Sequence, residues 1–229
     1  MFITFSMKDA TLADKDLRYA LSYALDKDAI VKACYGGTAR TATGYYPSNV
    51  FAFKEIGVLP YDPEKAKDLM KKAGHESGLT LNFLVEPREM DVRLAEAIQN
   101  MWNRIGLKVN IFQMAFSNYT SQGNELQIGL RAGNANEPSN ILIVYDPEFG
   151  ERLQPNDEKL AAMLKDAITF YDNDKRAAAY GAIQDYLNDM RYSIPLAFTP
   201  VIYGISDKVE GFDCDPLQQV DLCKVTIYE

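Results

Sequence analysis

The sequence predicts an α/β fold whose sheet is at least partly parallel, and three observations carry that expectation. Leu79, Leu81 and Phe83 alternate with polar or small neighbours, as in a half-buried strand. From Asp91 to Ile105 the apolar residues Ala95, Ile98, Trp102 and Ile105 recur at helical spacing, and Gly106 ends the run. Leu107, Val109 and Ile111 then alternate again, so a strand, a helix and a strand follow one another with short joints. A parallel pair needs such a crossover, whereas an antiparallel pair closes through a tight turn.

The remaining elements follow in order. Phe2 to Phe5 reads as a strand. The run DLRYALSYALDKDAIVKACYGG, Asp16 to Gly37, reads as two helices back to back. Leu17, Ala20, Leu21, Ala24 and Leu25 line one face of the first helix. Asp26 caps the second, whose apolar positions Ile30, Val31 and Cys34 precede the Gly36-Gly37 stop. Thr41 to Phe51 is a loop punctuated by Gly44 and Pro47. Tyr61 to Gly74 carries every sign of a helix: Asp62 at the N-cap, Pro63 at the first helical position, Glu64 in the first turn, Lys71 and Lys72 in the last, Gly74 beyond. Glu125 to Leu130 is expected as a short strand and Pro138 to Val144 as a short helix. Two longer helices, Asp157 to Tyr171 and Asp174 to Met190, come before a strand from Ile194 to Phe198.

Composition narrows the function. The chain has 229 residues, 47% of them hydrophobic, enough for a packed core. A formal charge of −8 disfavours nucleic acid and anionic membrane surfaces, both of which select clustered Lys and Arg. No apolar stretch approaches the roughly 20 residues that span a bilayer. The N-terminus MFITFSMKD has neither the basic region nor the cleavage site of a signal peptide, and the expectation is a chain that starts inside a longer protein. Of the three cysteines, Cys214 and Cys223 flank a short polar turn. A disulfide across so small a loop would contribute about 2–3 kcal/mol in an oxidising compartment. Three free thiols, with Cys34 packed in its helix, account for the sequence equally well.

No catalytic constellation is present. The single histidine, His75, lies just past a helix stop, with no nucleophile-elbow or phosphate-loop phrase anywhere. Acidic pairs such as Asp62 with Glu64 and Asp157 with Glu158 fall in helix first turns, where capping explains them. Neither a metal set nor a cofactor motif emerges. A binding role asks instead for concave polar and aromatic surface. Among 14 tyrosines, Tyr45 and Tyr46 sit in the punctuated loop and are expected to be harder to bury than Tyr23 or Tyr180 on helices, which makes them ligand candidates. LRAGNANEPSNIL, Leu130 to Leu142, leaves a strand for an irregular turn where short polar side chains and backbone donors are free to face a cleft.

Several phrases carry a resemblance. RYALSYALDKDAIV followed by YGG, then YDPEKAKDLMKKAG, then WNRIGLKVNI, then the helix and strand DNDKRAAAYGAIQDYLNDMRYSIPLAF, and finally KVEGFDCDPLQ stand in order along the chain. Together they resemble the second lobe of the extracellular solute-binding proteins of family 5, the dipeptide and oligopeptide class. The resemblance implies a type II periplasmic-binding-protein-like lobe, a mixed sheet flanked by helices, with residues 1–229 forming one C-terminal lobe. About 200–229 would return toward a first lobe that precedes Met1. It implies a non-enzymatic protein, exported or lipid-anchored at the extracellular face or in the periplasm, that delivers peptides or peptide-like solutes to the permease of an ABC importer. A ligand-sensing module of a transcriptional regulator is the alternative it leaves open.

In oligopeptide-binding members a stretch like Leu130–Leu142 carries a tryptophan, two small residues, an aspartate that pairs with the ligand's α-ammonium, and then Asn-Glu-Pro. Aligning Asn136-Glu137-Pro138 puts Arg131 at the tryptophan position and Asn134 at the aspartate position. Losing that carboxylate removes a charge-assisted hydrogen bond of up to about 3 kcal/mol. Arg131 brings a planar fork suited to carboxylate or phosphate, unless it lies outside the cleft or pairs with Glu125. Phe116 falls near another ligand-contacting aromatic of the class, and a core role would suit it as well.

Overall fold

The computed structural model describes residues 1–115, 127–131, 137–146, 155–215 and 219–228, with Arg131 described in its backbone alone. A five-stranded mixed sheet organises them. It is built from β1 (Phe2–Phe5), β3 (Leu79–Val85), β4 (Leu107–Gln113), β5 (Ile128–Arg131) and β6 (Ser193–Pro195), in the order β4-β3-β5-β1-β6. β3 runs parallel to β4 and to β5, and β1 is antiparallel to both β5 and β6. The α/β expectation and the mixed sheet are thus both seen, and the crossover between β3 and β4 is α4 (Glu89–Asn103).

The helix pair forms as its capping residues dictate. α1 (Lys15–Tyr23) is capped by Asp14, and α2 (Lys27–Tyr35) by Asp26, which accepts from the Ala29 amide at 2.9 Å. Gly36 ends α2 at φ 57°, a left-handed conformation that costs glycine little. α3 (Pro63–Lys72) starts on Asp62, whose carboxylate accepts from Lys65 N at 2.9 Å. α5 (Pro138–Leu142) is shorter than its sequence pattern and passes into a tight turn over Ile143–Tyr145. α6 (Glu158–Ala167) stops before Tyr171, and α7 (Asn173–Met190) follows, capped by Asp172. Asp157 caps α6 and also accepts from the hydroxyls of Tyr186 and Tyr192, at 2.9 and 2.8 Å.

Among the described residues two large apolar cores stand out, beside a small cluster of Val31, Ala39 and Ala197. The larger joins Ile3, Phe5, Leu81, Phe83, Val85, Ile128, Leu130 and Ile194 of the sheet to α1–α4, with fully buried Trp102 donating to Leu21 O at 2.9 Å. Period-two alternation puts these strand residues on one face. On the other face Thr4 stands opposite Gly129 and Ser193, a strip of small residues. The second core gathers α5–α7 with Tyr46, Val50, Tyr145 and Tyr192, and Tyr145 reaches Ser193 through a 2.5 Å hydrogen bond.

Arg18 spans the joint between α1 and α7. It is 2% exposed, and its guanidinium donates to Leu12 O and Ala13 O, both at 2.8 Å, and twice to Met190 O, at 3.1 and 2.8 Å, while stacking 5.3 Å over Tyr192. The acceptor Met190 is the last residue of α7, where unpaired carbonyls and the helix dipole favour a cation. Beyond it, the expected single strand from Ile194 to Phe198 is two strands with different partners: β6 pairs with β1, and β7 (Ala197–Phe198) pairs with β2 (Arg40–Thr41). Pro195, which cannot donate, ends β6. A small ribbon of β8 (Val209–Glu210) and β9 (Thr226–Ile227) follows, and Cys34, Cys214 and Cys223 are all free thiols.

Replacing Arg18 with methionine keeps the length of the side chain and strands these buried carbonyls. We expect Arg18→Met to lower unfolding free energy by about 3 kcal/mol, read from urea midpoints by circular dichroism. Lys15→Met, which breaks the exposed Lys15–Asp189 pair, should change it by less than about 1 kcal/mol. Equal losses in the two variants would show that Arg18 is not the clamp.

Candidate functional site

One edge of the sheet collects the chain segments that a binding site needs. The parallel strands β3 and β4 end at Val85 and Gln113, and β5 ends at Arg131 beside them. Because Phe2 lies opposite both Arg131 and Pro195, the start of β1 and the end of β6 share that edge. Here the chain crosses itself: Leu196 N and Ala197 N donate to Met1 O at 3.0 and 3.2 Å, and Met1 N donates to Ala197 O at 2.8 Å. Ala42 N donates to Leu196 O at 3.1 Å, which holds the loop after β2 against the same crossing. In open α/β sheets ligands lie outside the carboxyl ends of the strands, where the order of connection reverses. β3 is that point, with its crossover to β4 on one side and β5 on the other.

Of the residues singled out from the sequence, Asn134, Asn136 and Phe116 lie outside the described residues. Arg131 is the last position of β5, and the segment it opens leaves from the carboxyl edge. Of the two loop tyrosines, Tyr46 departs from expectation, while Tyr45 is partly exposed. Tyr46 is 1% exposed, donates to Ala52 O at 3.0 Å and accepts from Gln184 Nε2 at 2.7 Å, so it is a core residue as buried as Tyr180. Tyr45 packs edge-on against Tyr145 with ring centroids 6.2 Å apart, and its hydroxyl is buried without a hydrogen-bond partner. Gly44 makes the fold of this loop possible. A Cβ there would stand 2.6 Å from Phe53 and 2.9 Å from Lys54 O, closer than packing permits, so only bare backbone fits against the Phe53–Lys54 segment.

Sequence reasoning missed a charged cluster at the carboxyl end of β3. Arg88 donates to Asp91 through Nε at 2.8 Å and lies 2.7 Å from both Asp91 and Glu86 through a terminal nitrogen. Asp91 is 4% exposed. Burial opposes the Arg88 charge, but the Asp91 and Glu86 carboxylates outweigh it and raise the pKa. The Tyr35 hydroxyl is buried nearby without a partner; burial first, then Asp91 and Cys34, push it up to about 12. One guanidinium bridges the two carboxylates of Glu86 and Asp91. It therefore braces the start of α4, and the i, i+3 spacing of Arg88 and Asp91 was the available signal.

Lys27, at the start of α2, reaches the outer edge of β6, where its ammonium lies 3.4 Å from Pro195 O. Its pKa is lowered to about 8, by burial first and then by the neighbouring Arg191 guanidinium, with Asp28 acting in the opposite sense. His75 stays in the turn after α3, its amide bonded to Met70 O at 2.9 Å. Among the described residues no group of three or more His, Cys, Asp or Glu side chains is placed to hold a metal, and no helix is long and apolar enough to cross a membrane.

Comparison with known proteins agrees with this geometry. The model of the family described as bacterial extracellular solute-binding proteins, family 5 middle, matches residues 1–147. Heme-binding protein A of Haemophilus influenzae is 29% identical over 94% of this chain and 42% of its own length. The dipeptide-binding protein of Escherichia coli K12 is 26% identical over 94% of this chain and 43% of its own. The crystal structure of a dipeptide-binding protein from Pseudoalteromonas sp. SM9913 in complex with Met-Leu superposes with a TM-score of 0.85 at 23% identity, over 99% of this chain and 48% of that one. The chain thus spans somewhat under half the length of these relatives.

The Lys27 ammonium gives a pH dependence of definite sign. Its folded pKa, about 8, lies below the ordinary 10.5, so the unfolded chain holds more protons between those values. Below pH 8 the penalty is felt in full, and stability rises as pH is raised from about 8 toward 10, by at most about 1.4 kcal/mol per unit. Above about 10 tyrosine ionisation in the unfolded chain takes over. Urea midpoints across that window should climb for the parent chain and stay level for Lys27→Met; parallel curves would refute the assignment.

Proposed function

Since this chain belongs to family 5 of the bacterial extracellular solute-binding proteins, which bind solutes rather than transform them, we propose that it is the C-terminal lobe of a two-lobed protein that captures peptides or peptide-like solutes for an ABC importer. The observation that carries the reading is the gathering of Met1, Arg131 and the β6–β7 joint on one sheet edge. Two chain crossings lying side by side make a hinge, and β5 ends at Arg131 on the same edge, toward the cleft which the hinge closes. Binding works by enclosure: ligand favours the closed arrangement because both lobes touch it only there. The full-length protein would act at the extracellular face of the membrane or in the periplasm, and its closed form would dock on the permease.

The C-terminal stretch supports the same arrangement. Val201, Ile202, Tyr203 and Ile205 are exposed in a segment without regular structure, and Leu222 and Ile227 are exposed on and beside the β8–β9 ribbon. Apolar surface of this extent asks for a cover, and the first lobe, to which residues 200–229 return, supplies it. Ligand contacts are assigned to Arg131, Asn134, Asn136 and Phe116. Tyr46 belongs to the core and is not among them. With asparagine in place of the carboxylate that pairs with a free peptide N-terminus, the site suits N-blocked, anionic or otherwise peptide-like ligands.

Two measurements test this. Calorimetric titration with a peptide library should show tight binding by the two-lobed protein and weak binding by the 229-residue chain alone; equal tight binding by both would remove the two-lobe account. In the two-lobed protein Asn134→Asp should strengthen binding of peptides with free N-termini by about tenfold or more. Unchanged affinity would show that Asn134 is not at the ammonium position.

A further inference from the structure

The outer edge of β6 holds a second polar site, separate from the carboxyl edge. Arg191 comes directly after the last residue of α7 with φ 54°, the left-handed conformation usually left to glycine. It is 4% exposed, its guanidinium lies 5.3 Å over the Tyr19 ring, and its Nε is buried without a hydrogen-bond partner. Among the described residues no carboxylate lies within ion-pair distance of it. Arg18, equally buried at the same helix end, spends its N–H groups on three carbonyls. Arg191 therefore carries two costs together, a strained backbone and a buried charge with no counterion.

Hydroxyls and a second cation gather round it. Arg191 lies two residues before Ser193, just outside β6, and its charge is felt at both Lys27 and Tyr45. Ser193 is fully buried and bonded to the Tyr145 hydroxyl, the buried Tyr45 hydroxyl stands beside this pair, and Lys27 reaches Pro195 from α2. Two acids close by in sequence are engaged elsewhere: Asp28, next to Lys27, accepts from the Thr41 hydroxyl, and Asp189, two residues before Arg191, pairs with Lys15. A guanidinium with an unpartnered Nε, beside an ammonium held only by one long bond to a carbonyl and a buried phenol, matches an oxyanion, which a planar fork holds through two parallel bonds.

We propose that this seam between β6, Tyr19, Lys27 and Tyr45 binds one small oxyanion, a carboxylate or a phosphate, with Arg191 as its principal donor. The bound anion supplies the missing counter-charge and ties α2 to the edge strand, which also shields that edge from pairing with another chain.

Calorimetric titration of the 229-residue protein with sodium phosphate and, separately, sodium acetate, each against sodium chloride at matched ionic strength, tests the site. One saturable site is expected for at least one of the two anions, and the tighter arm identifies the class. Arg191→Met should abolish it. Lys27→Met and Tyr45→Phe keep the test open if that variant fails to fold; each should weaken binding by about tenfold. Absence of saturable binding to either anion, or parent-like affinity in both Lys27→Met and Tyr45→Phe, would overturn the proposal.

Discussion

The buried guanidinium of Arg18 constrains more of this fold than any other single group. It is anchored on α1, yet its acceptors belong to the loop before α1 and to the end of α7, more than 170 residues away in sequence. Burying a cation is costly unless its N–H groups find acceptors, and the four bonds that Arg18 makes leave the geometry little freedom. Once Met190 is held, the residues after it are placed as well. Tyr192 stacks on Arg18 and donates to Asp157, the cap of α6, and Ser193 begins the edge strand. The two apolar cores, one on each side of the sheet, are thereby kept in register by hydrogen bonds to one side chain rather than by apolar contact alone.

The same constraint fixes where the binding edge lies. β6 has room for three residues before the chain passes Met1 and pairs with β2. Its exit therefore falls beside the start of β1 and the end of β5. Parallel pairing through α4 brings the carboxyl ends of β3 and β4 to that side too. The strip of Thr4, Gly129 and Ser193 leaves little side-chain bulk on the second face, which lets Tyr145 approach and brings the Tyr45 loop with it.

Several of these features can be read directly from residue order. Asp26, Asp62 and Asp157 announce their helices because a carboxylate at an N-cap satisfies amides three residues on, a strictly local effect. The phrase RYALSYALDKDAIV is legible as a signature, and the structure gives its wording a cause: Arg18 clamps α7, Tyr23 stacks under Lys65 at 4.2 Å, Asp26 caps α2 and Lys27 covers the edge strand. The loop tyrosines are a different case. Gly44 and Pro47 mark a loop correctly, but a loop is exposed only if nothing packs over it, and α7 packs over this one through Gln184. Likewise the residues from Ile194 to Phe198 have strand character throughout, while their division between two sheets depends on Met1 and Arg40, neighbours in space alone.

By itself, then, the sequence determined what depends on nearest neighbours: the caps, the helical and strand periods, the crossover that makes β3 and β4 parallel, and the ordered phrases that identify the family. Tertiary structure alone decided which charges are paired and which stand open. Arg18 within α1, Arg88 at the N-cap of α4 and Arg191 at the C-cap of α7 are the same residue type in three different settings. One is satisfied by carbonyls, one by carboxylates, and one has its Nε unpartnered. The reason is physical: the balance between desolvation and pairing is struck over distances of a few ångströms, among groups that the chain brings together from positions scores of residues apart.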